Sequence, residues 1–508
     1  MAGFLGLELQ PWNRLPVLGR QQIQINIQMQ KDIAQSILDH FPYDPTTDQL
    51  RLASALSRFL QEPVRTGVFL LKGYAGTGKT AIISSLVRVL ADAGTGTVLL
   101  APTGRAAKVM ASYAGMPAYT IHKKIYRLQE GPDGTAVVSL QPNRHKETLF
   151  IVDEASMIGG SSETGSGVLF GSINLLDDLV RFVYSGKGCR MVLIGDTAQL
   201  PPVGATEVPA LNTTFLEQHF GLKVFHHELQ EVVRQARESG ILVHATRLRE
   251  MLAAGQEGFP AFSRDVFPDF IALDADQVID EINTAFMGRE VQEALVICRS
   301  NKRAWLYNQN IRHRVLFQED EINSGDLLMV VRNNYFWLPD ESRAGFIANG
   351  DILEVRRIKK TEEVYGFRFA DLEVVFCDYP EEPPTEVKVL LSTLGIQGPS
   401  LGQSDQKRLY ESVIEDYQDI PNKRKRLAAV RSNPYFNALQ VKFAYALTCH
   451  KAQGGQWEKV FIDMGYIPKK EPDTDYLRWL YTAVTRATKK VFLLNFSPAF
   501  FEKPPGYL

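Results

Sequence analysis

The residues Gly73-Tyr74-Ala75-Gly76-Thr77-Gly78-Lys79-Thr80 match the spacing GxxxxGK[ST]. Glycines let such a loop wrap a phosphate so that backbone N–H groups point at its oxygens. The lysine neutralises charge and the last hydroxyl ligates Mg²⁺. The preceding VFLLK reads as a strand and the following AIISSLVRVL as a helix, whose N-terminus adds its dipole to the anion site. Gly73, Gly76, Thr77, Gly78, Lys79 and Thr80 are therefore candidate nucleotide-binding residues. A second constellation follows at Asp153 and Glu154, two carboxylates ending the apolar run Leu149–Val152. Asp153, with Thr80, is suited to hold Mg²⁺, directly or through water, and Glu154 to polarise the attacking water as general base. In the segment Gly195–Gly204, Gln199 can both donate and accept hydrogen bonds, so it can sense a γ-phosphate and its water. Phosphoryl transfer also needs cationic charge on the γ-phosphate, and Arg234 in ELQEVVRQAR and Arg486 in YTAVTRATKK are the candidates. Together these residue types and spacings point to ATP hydrolysis with Mg²⁺.

These residues must be positioned by strands and helices in alternation. The runs Val68–Leu71, Val98–Ala101, Leu149–Val152 and Met191–Ile194 are apolar throughout and strand-length, as expected of strands covered on both faces. Helical patterns over Lys79–Asp92 and Arg105–Ala114 lie between them, which is the signature of a parallel sheet. A second series, Phe270–Leu273, Leu295–Cys298, Phe443–Leu447, Val460–Ile462 and Val491–Leu494, predicts a second α/β sheet. It is interrupted by alternating segments with turn signals, SGDLLMVVRNN, FIANGDILEVRRI and FRFADLEVVF, which read as a small antiparallel barrel. IYRLQEGPDGTAVVSLQP reads as a protruding β-hairpin and GGSSETGSG (159–167) as a low-complexity loop.

At 508 residues the chain exceeds what one core usually holds, so about three domains are expected. The 56 basic and 58 acidic residues exclude a uniformly basic nucleic-acid coat but not a local basic groove. No run of 18 apolar residues predicts a membrane helix, and the N-terminus does not read as a signal peptide. Cys189, Cys298, Cys377 and Cys449 lie far apart with no CxxC pair. Reduced cysteines in an intracellular, cytoplasmic protein are the simpler expectation than a zinc or disulfide scaffold.

In order, TTDQLRLA, GYAGTGKT, LLAPTGRAA, YTIHK, IVDEASM, GDTAQLPPVG, LQEVVRQ, YALTCHKAQGGQW and YTAVTRA resemble the motifs of superfamily 1B DNA helicases, RecD-like and Dda-like. The match covers nearly the whole chain. The resemblance implies two RecA-like P-loop domains, with a β-hairpin pin in the first and an SH3-like β-rich domain inserted in the second. The expected boundaries are a lead-in over 1–45, a first domain over 46–230 with the pin at about 126–146, a second over 231–324 and 441–508, and the insert over 325–440. It implies an ATP-dependent helicase moving 5′ to 3′ on single-stranded DNA, a compact monomer that engages duplex/single-strand junctions. Single-strand-binding or repair proteins are its implied partners, and no membrane. Gln49 is the implied adenine reader. Pro102, Thr103, Thr120 and His122 are implied strand contacts from the first domain, and Thr448, His450 and Lys451 from the second. Gln453 and Gly454 are implied to couple strand and nucleotide. The hairpin tip EGPDG lacks an aromatic, so the pin either separates strands without stacking or uses Tyr126. The basic run 423–426 either contacts phosphates or is a solvated helix face.

Overall fold

The computed structural model describes residues 33–130, 136–159, 174–202, 204–205, 207–231, 238–287, 291–339, 342, 346–379, 381–467 and 471–502. The first half contains β1 (Gly67–Gly73), β2 (Thr97–Ala101), β3 (Ala118–Thr120), β4 (Tyr126–Glu130), β5 (Ala136–Leu140), β6 (Leu149–Val152), β7 (Arg190–Gly195) and β8 (Lys223–Leu229). Six of these form a parallel sheet in the order β3-β2-β6-β7-β1-β8, while β4 and β5 pair only with each other. The run Val68–Leu71 shows why the apolar stretches are unbroken. Val68 and Leu70 enter the core on one face of the sheet, Phe69 and Leu71 the core on the other, and all four are fully buried. Each such side chain contributes about 1.5–3 kcal/mol by leaving water. Helices Lys79–Asp92 and Gly104–Ala114 return the chain between strands, so the ends of β1, β2 and β6 lie together on one edge.

The second half contains β9 (Phe270–Ala272), β10 (Ala294–Cys298), β11 (Leu327–Val330), β12 (Ile352–Val364), β13 (Phe367–Phe376), β14 (Thr385–Leu390), β15 (Leu439–Phe443), β16 (Ala446–Thr448), β17 (Trp457–Asp463) and β18 (Ala487–Leu494). A parallel sheet runs β16-β10-β17-β18-β9, and β11 to β15 close a barrel. Phe443–Leu447, expected as one strand of the second sheet, is two pieces. β15 belongs to the barrel, beyond its expected end at residue 440, and only β16 joins the sheet. Tyr445 marks the crossing: its hydroxyl donates to Asp326 Oδ1 at 3.1 Å and accepts from Leu327 N at 3.2 Å. Arg312 grips the same Asp326 through two 2.9 Å bonds. Barrel and second sheet share one continuous core, from Phe461 in β17 to Val374 in β13. A smaller core, with Phe369, Leu409 and Val430, joins helices Gln403–Glu415 and Lys423–Arg431 to the outside of the barrel.

Of the lead-in, residues 33–39 are helical, and Ile37 is buried in the first domain's core. The loop 159–167 lies outside the described residues from position 160, as does the hairpin tip from 131. Lys423, Arg424 and Lys425 are exposed at the start of their helix, capped by Asn422. Among the described residues no helix is long and apolar enough to cross a membrane. The four cysteines are free.

Candidate active site and strand groove

The phosphate loop begins where β1 ends. Gly76 and Gly78 hold φ of 75° and 83°, a left-handed geometry that a side chain would strain. A Cβ at Gly73 would stand 3.1 Å from the Lys79 side chain, so a larger residue there would crowd the lysine where it folds over the loop. Lys79 Nζ donates to Gly73 O and Tyr74 O, each at 2.7 Å. Gln49 is buried and uses both ends of its amide. Oε1 accepts from Thr46 N at 2.9 Å in a capping box, and Nε2 donates to Thr77 O at 3.0 Å. It therefore ties the start of helix Thr47–Gln61 to the loop.

Asp153 and Glu154 follow β6. Asp153 Oδ1 accepts from Glu154 N at 2.8 Å, and Oδ2 accepts from Tyr113 Oη at 2.7 Å. Each oxygen keeps a lone pair, and Thr80 is exposed at the helix start. Among the described residues no group of three or more His, Cys, Asp or Glu could hold a metal. A sparse oxygen set of Thr80 and Asp153 fits Mg²⁺, which is commonly held by one or two side chains plus substrate phosphates. Glu154 adopts φ 51°, strained for a residue with a side chain. Its carboxylate faces Arg486 Nη1 at 3.7 Å. Burial pushes the Glu154 carboxyl up, against the opposing pull of Arg486 and Lys79.

Arg486 comes from the second domain, at the end of helix Thr474–Val484. It is buried and aimed by Thr482 O, Gly455 O and Thr485 Oγ1. Arg234 lies outside the described residues. Gln199 is buried and its Oε1 accepts no hydrogen bond. Its neighbour Leu200 is held from the second domain, N by Thr482 Oγ1 and O by Gln453 Nε2, each at 2.9 Å.

On the strand side, Pro102 is half-buried, Thr103 Oγ1 caps helix Gly104–Ala114, and Thr120 Oγ1 caps helix Ile121–Ile125. Both hydroxyls keep their proton to donate. A Cβ at Gly454 would stand 3.0 Å from Thr103 Oγ1, so the two domains meet there. Thr448 is the N-cap of helix Cys449–Ala452, His450 lies exposed within it, and Lys451 Nζ donates to Asn349, just before β12, at 2.6 Å. His122 packs its ring near Tyr126 and Phe346, and burial lowers its pKa to about 4, so it is neutral at pH 7. Tyr126 lies at the hairpin base opposite Leu140, and its hydroxyl donates to Asp178 at 2.8 Å. It is a brace for the hairpin rather than part of its tip.

Three tyrosines escaped the sequence reading. Tyr481 accepts from Ala75 N of the phosphate loop at 3.0 Å and donates to Asp196 Oδ2. Tyr74 donates to Glu228 at 3.0 Å beneath the Arg249 guanidinium, 4.7 Å from its ring centroid. Tyr481 and Tyr74 sit inside quoted motifs, so their positions carried a signal; Tyr113 sits in none.

An AAA domain family model matches residues 52–258, and a UvrD-like helicase C-terminal domain model matches residues 443–494. The ATP-dependent DNA helicase Dda of Enterobacteria phage T4 is 23% identical over 449 residues, covering 83% of this chain and 93% of Dda. The ATP-dependent RecD2 DNA helicase of Deinococcus radiodurans is 35% identical over 135 residues, only 27% of this chain and 16% of RecD2. The Pif1 helicase from Bacteroides, in complex with ADP-AlF3 and ssDNA, superposes with a TM-score of 0.45 at 14% identity, covering 91% of this chain and 95% of that one. With the two models falling on the phosphate-loop half and on the segment that carries Arg486, and with Dda matched along nearly its whole length, these likenesses support a helicase of superfamily 1B.

Proposed function

We propose that this chain is an ATP-dependent DNA helicase that moves 5′ to 3′ along single-stranded DNA and separates duplex ahead of it. The observation that carries the reading is that one interdomain interface serves both chemistries: Arg486 reaches Glu154 at 3.7 Å, and Gly454 abuts Thr103. Closing the cleft on ATP therefore also changes how the two domains grip the strand. On ATP binding, the Lys79 ammonium exchanges two loop carbonyls for phosphate oxygens, a stronger charge-assisted bond. Thr80 and Asp153 would hold Mg²⁺, which supplies charge neutralisation on the phosphates. Glu154 takes a proton from the attacking water. Its raised pKa favours proton acceptance. Arg486, and Arg234 with it, carries positive charge to the γ-phosphate. Gln199, with its free Oε1, orients the water. The hairpin β4–β5 rises beside the strand-contact helix Ile121–Ile125, where a separating wedge belongs.

Two partial duplexes test this, one with a 5′ single-stranded tail and one with a 3′ tail, with ATPase followed in the same tubes. Unwinding of only the 5′-tailed duplex is expected. Strand-stimulated ATPase with neither duplex separated would replace the helicase by a nucleotide-gated clamp on single strands.

A further inference from the structure

Tyr113 stands near the end of helix Gly104–Ala114 and touches both halves of the phosphate site. Its hydroxyl donates to Asp153 Oδ2 at 2.7 Å. Its carbonyl accepts from Ser84 Oγ at 2.7 Å, on the helix that opens with Lys79.

The other end of the same helix lies in the strand groove and under the second domain. Thr103 caps it, and Gly454 approaches both Thr103 Oγ1 and Ala106 Cβ so closely that a Cβ would stand 3.0 Å from each. Arg105 donates to Gln456 O at 2.8 Å and lies over the Trp457 ring, 4.0 Å from its centroid. One rigid rod, roughly 16 Å long at 1.5 Å per residue, thus joins the groove to Asp153. Asp153 has one donor per oxygen, Tyr113 on Oδ2 and Glu154 N on Oδ1. Without the phenol, its carboxylate turns more freely, and Glu154 is the next residue along the chain.

We propose that Tyr113 is a positioning residue that couples strand engagement to the phosphate site. Its O–H orients the Asp153 carboxylate, and helix Gly104–Ala114 carries displacements at Thr103 and Arg105 to that bond. The coupling rests on the helicase reading above; the orientation of Asp153 does not.

Tyr113→Phe removes the hydroxyl and keeps the ring. Three measurements on the full chain test it: binding of a fluorescent ADP analogue with and without Mg²⁺, ATP hydrolysis against concentration of a single-stranded oligonucleotide, and thermal unfolding. The expected result is a loss of about 3–10-fold in nucleotide affinity with Mg²⁺ and none without it, as for a lost bond to a charged group. Maximal strand-stimulated turnover falls by a similar factor at an unchanged half-stimulating oligonucleotide concentration. In an Asp153→Asn background the same substitution has no further effect. Equal affinity loss with and without Mg²⁺ alongside a lowered unfolding temperature would reduce Tyr113 to a packing residue. Unchanged Mg²⁺-dependent affinity would overturn the positioning role. If the unaltered chain hydrolyses no ATP with the oligonucleotide, the helicase reading fails while the Mg²⁺-dependent binding still decides the role of Tyr113.

Discussion

Two clusters of buried and half-buried carboxylates, one beside the phosphate loop and one where the barrel meets the start of helix Gly104–Ala114, are compensated differently. Beside the phosphate loop, Glu154 and Asp196 face Lys79 and Arg486, and Asp196 also accepts from Ala198 N and Tyr481 Oη. At the barrel, Asp351 packs on Gly104, where a Cβ would stand 2.7 Å from its Oδ1. That Oδ1, and Oδ2 of Asp378, are buried without a hydrogen-bond partner. Burial pushes Asp351 up to about 8, with Asp378 adding to the rise. Asp378 is pushed up too, against the pull of Arg105 and Lys108. Burial alone therefore does not make a reactive site. The first cluster has cations that a phosphate can share; in the second, Asp351 keeps its proton at the contact between barrel and first domain, beside Lys108, which donates to Cys377 O at 2.8 Å.

The largest effects are expected where the charged groups of the first cluster are removed. Lys79→Ala should lower ATP hydrolysis by at least about 10³-fold in steady-state assays while strand binding persists, and Glu154→Gln should bind ATP with turnover down about 10²–10⁴-fold. Substantial residual turnover in Glu154→Gln would remove it as the base. Arg486→Ala should cost about 10³-fold or more in turnover, and Arg486→Lys should not restore it, since lysine lacks the fork that bonds Thr482 O, Gly455 O and Thr485 Oγ1 together. Recovery by lysine would mean that charge alone matters there. Tyr481→Phe cuts one hydroxyl out of the cleft, and the expected outcome is a KM for ATP raised about 3–10-fold with a smaller change in kcat. A fall in kcat alone would move Tyr481 to the transition state.

The smallest effect belongs to the second cluster and is read as stability. Between about pH 4 and pH 8 the folded chain keeps a proton on Asp351 that the unfolded chain releases. Its contribution is thus whole below that window and lost as pH rises through it. Asp351→Asn carries no such proton. Its unfolding temperature should exceed the parent's by about 2–4 °C at pH 8, with the gap closing towards pH 5. A constant gap would show that Asp351 is not the titrating group.

Much of this was legible because it is local. A strand, a glycine loop and a helix in direct succession need no distant partner to form a phosphate site, and Lys79–Asp92 is helical over the span its pattern predicts. The run Phe443–Leu447 misled because an apolar stretch reads the same whichever sheet covers it. Tyr445, which turns the chain from barrel to sheet, is recognisable only through Asp326, far away in sequence. His122 was legible as a candidate strand residue, but its neutral state follows from its burial among packed neighbours, Tyr126 and Phe346 among them.

By itself, the order of residues determined the phosphate loop, the paired carboxylates, both parallel sheets and the existence of an inserted β domain, because each depends on spacing within a few turns or strands. Tertiary packing decided that Arg486 meets Glu154, that Tyr481 bridges Ala75 and Asp196, and that Tyr113 holds Asp153. It also decided that Asp351 is buried against Gly104. Those pairs lie tens to hundreds of residues apart. A side chain's partner and its charge state follow from what surrounds it in space, which only the packing of one domain on another defines.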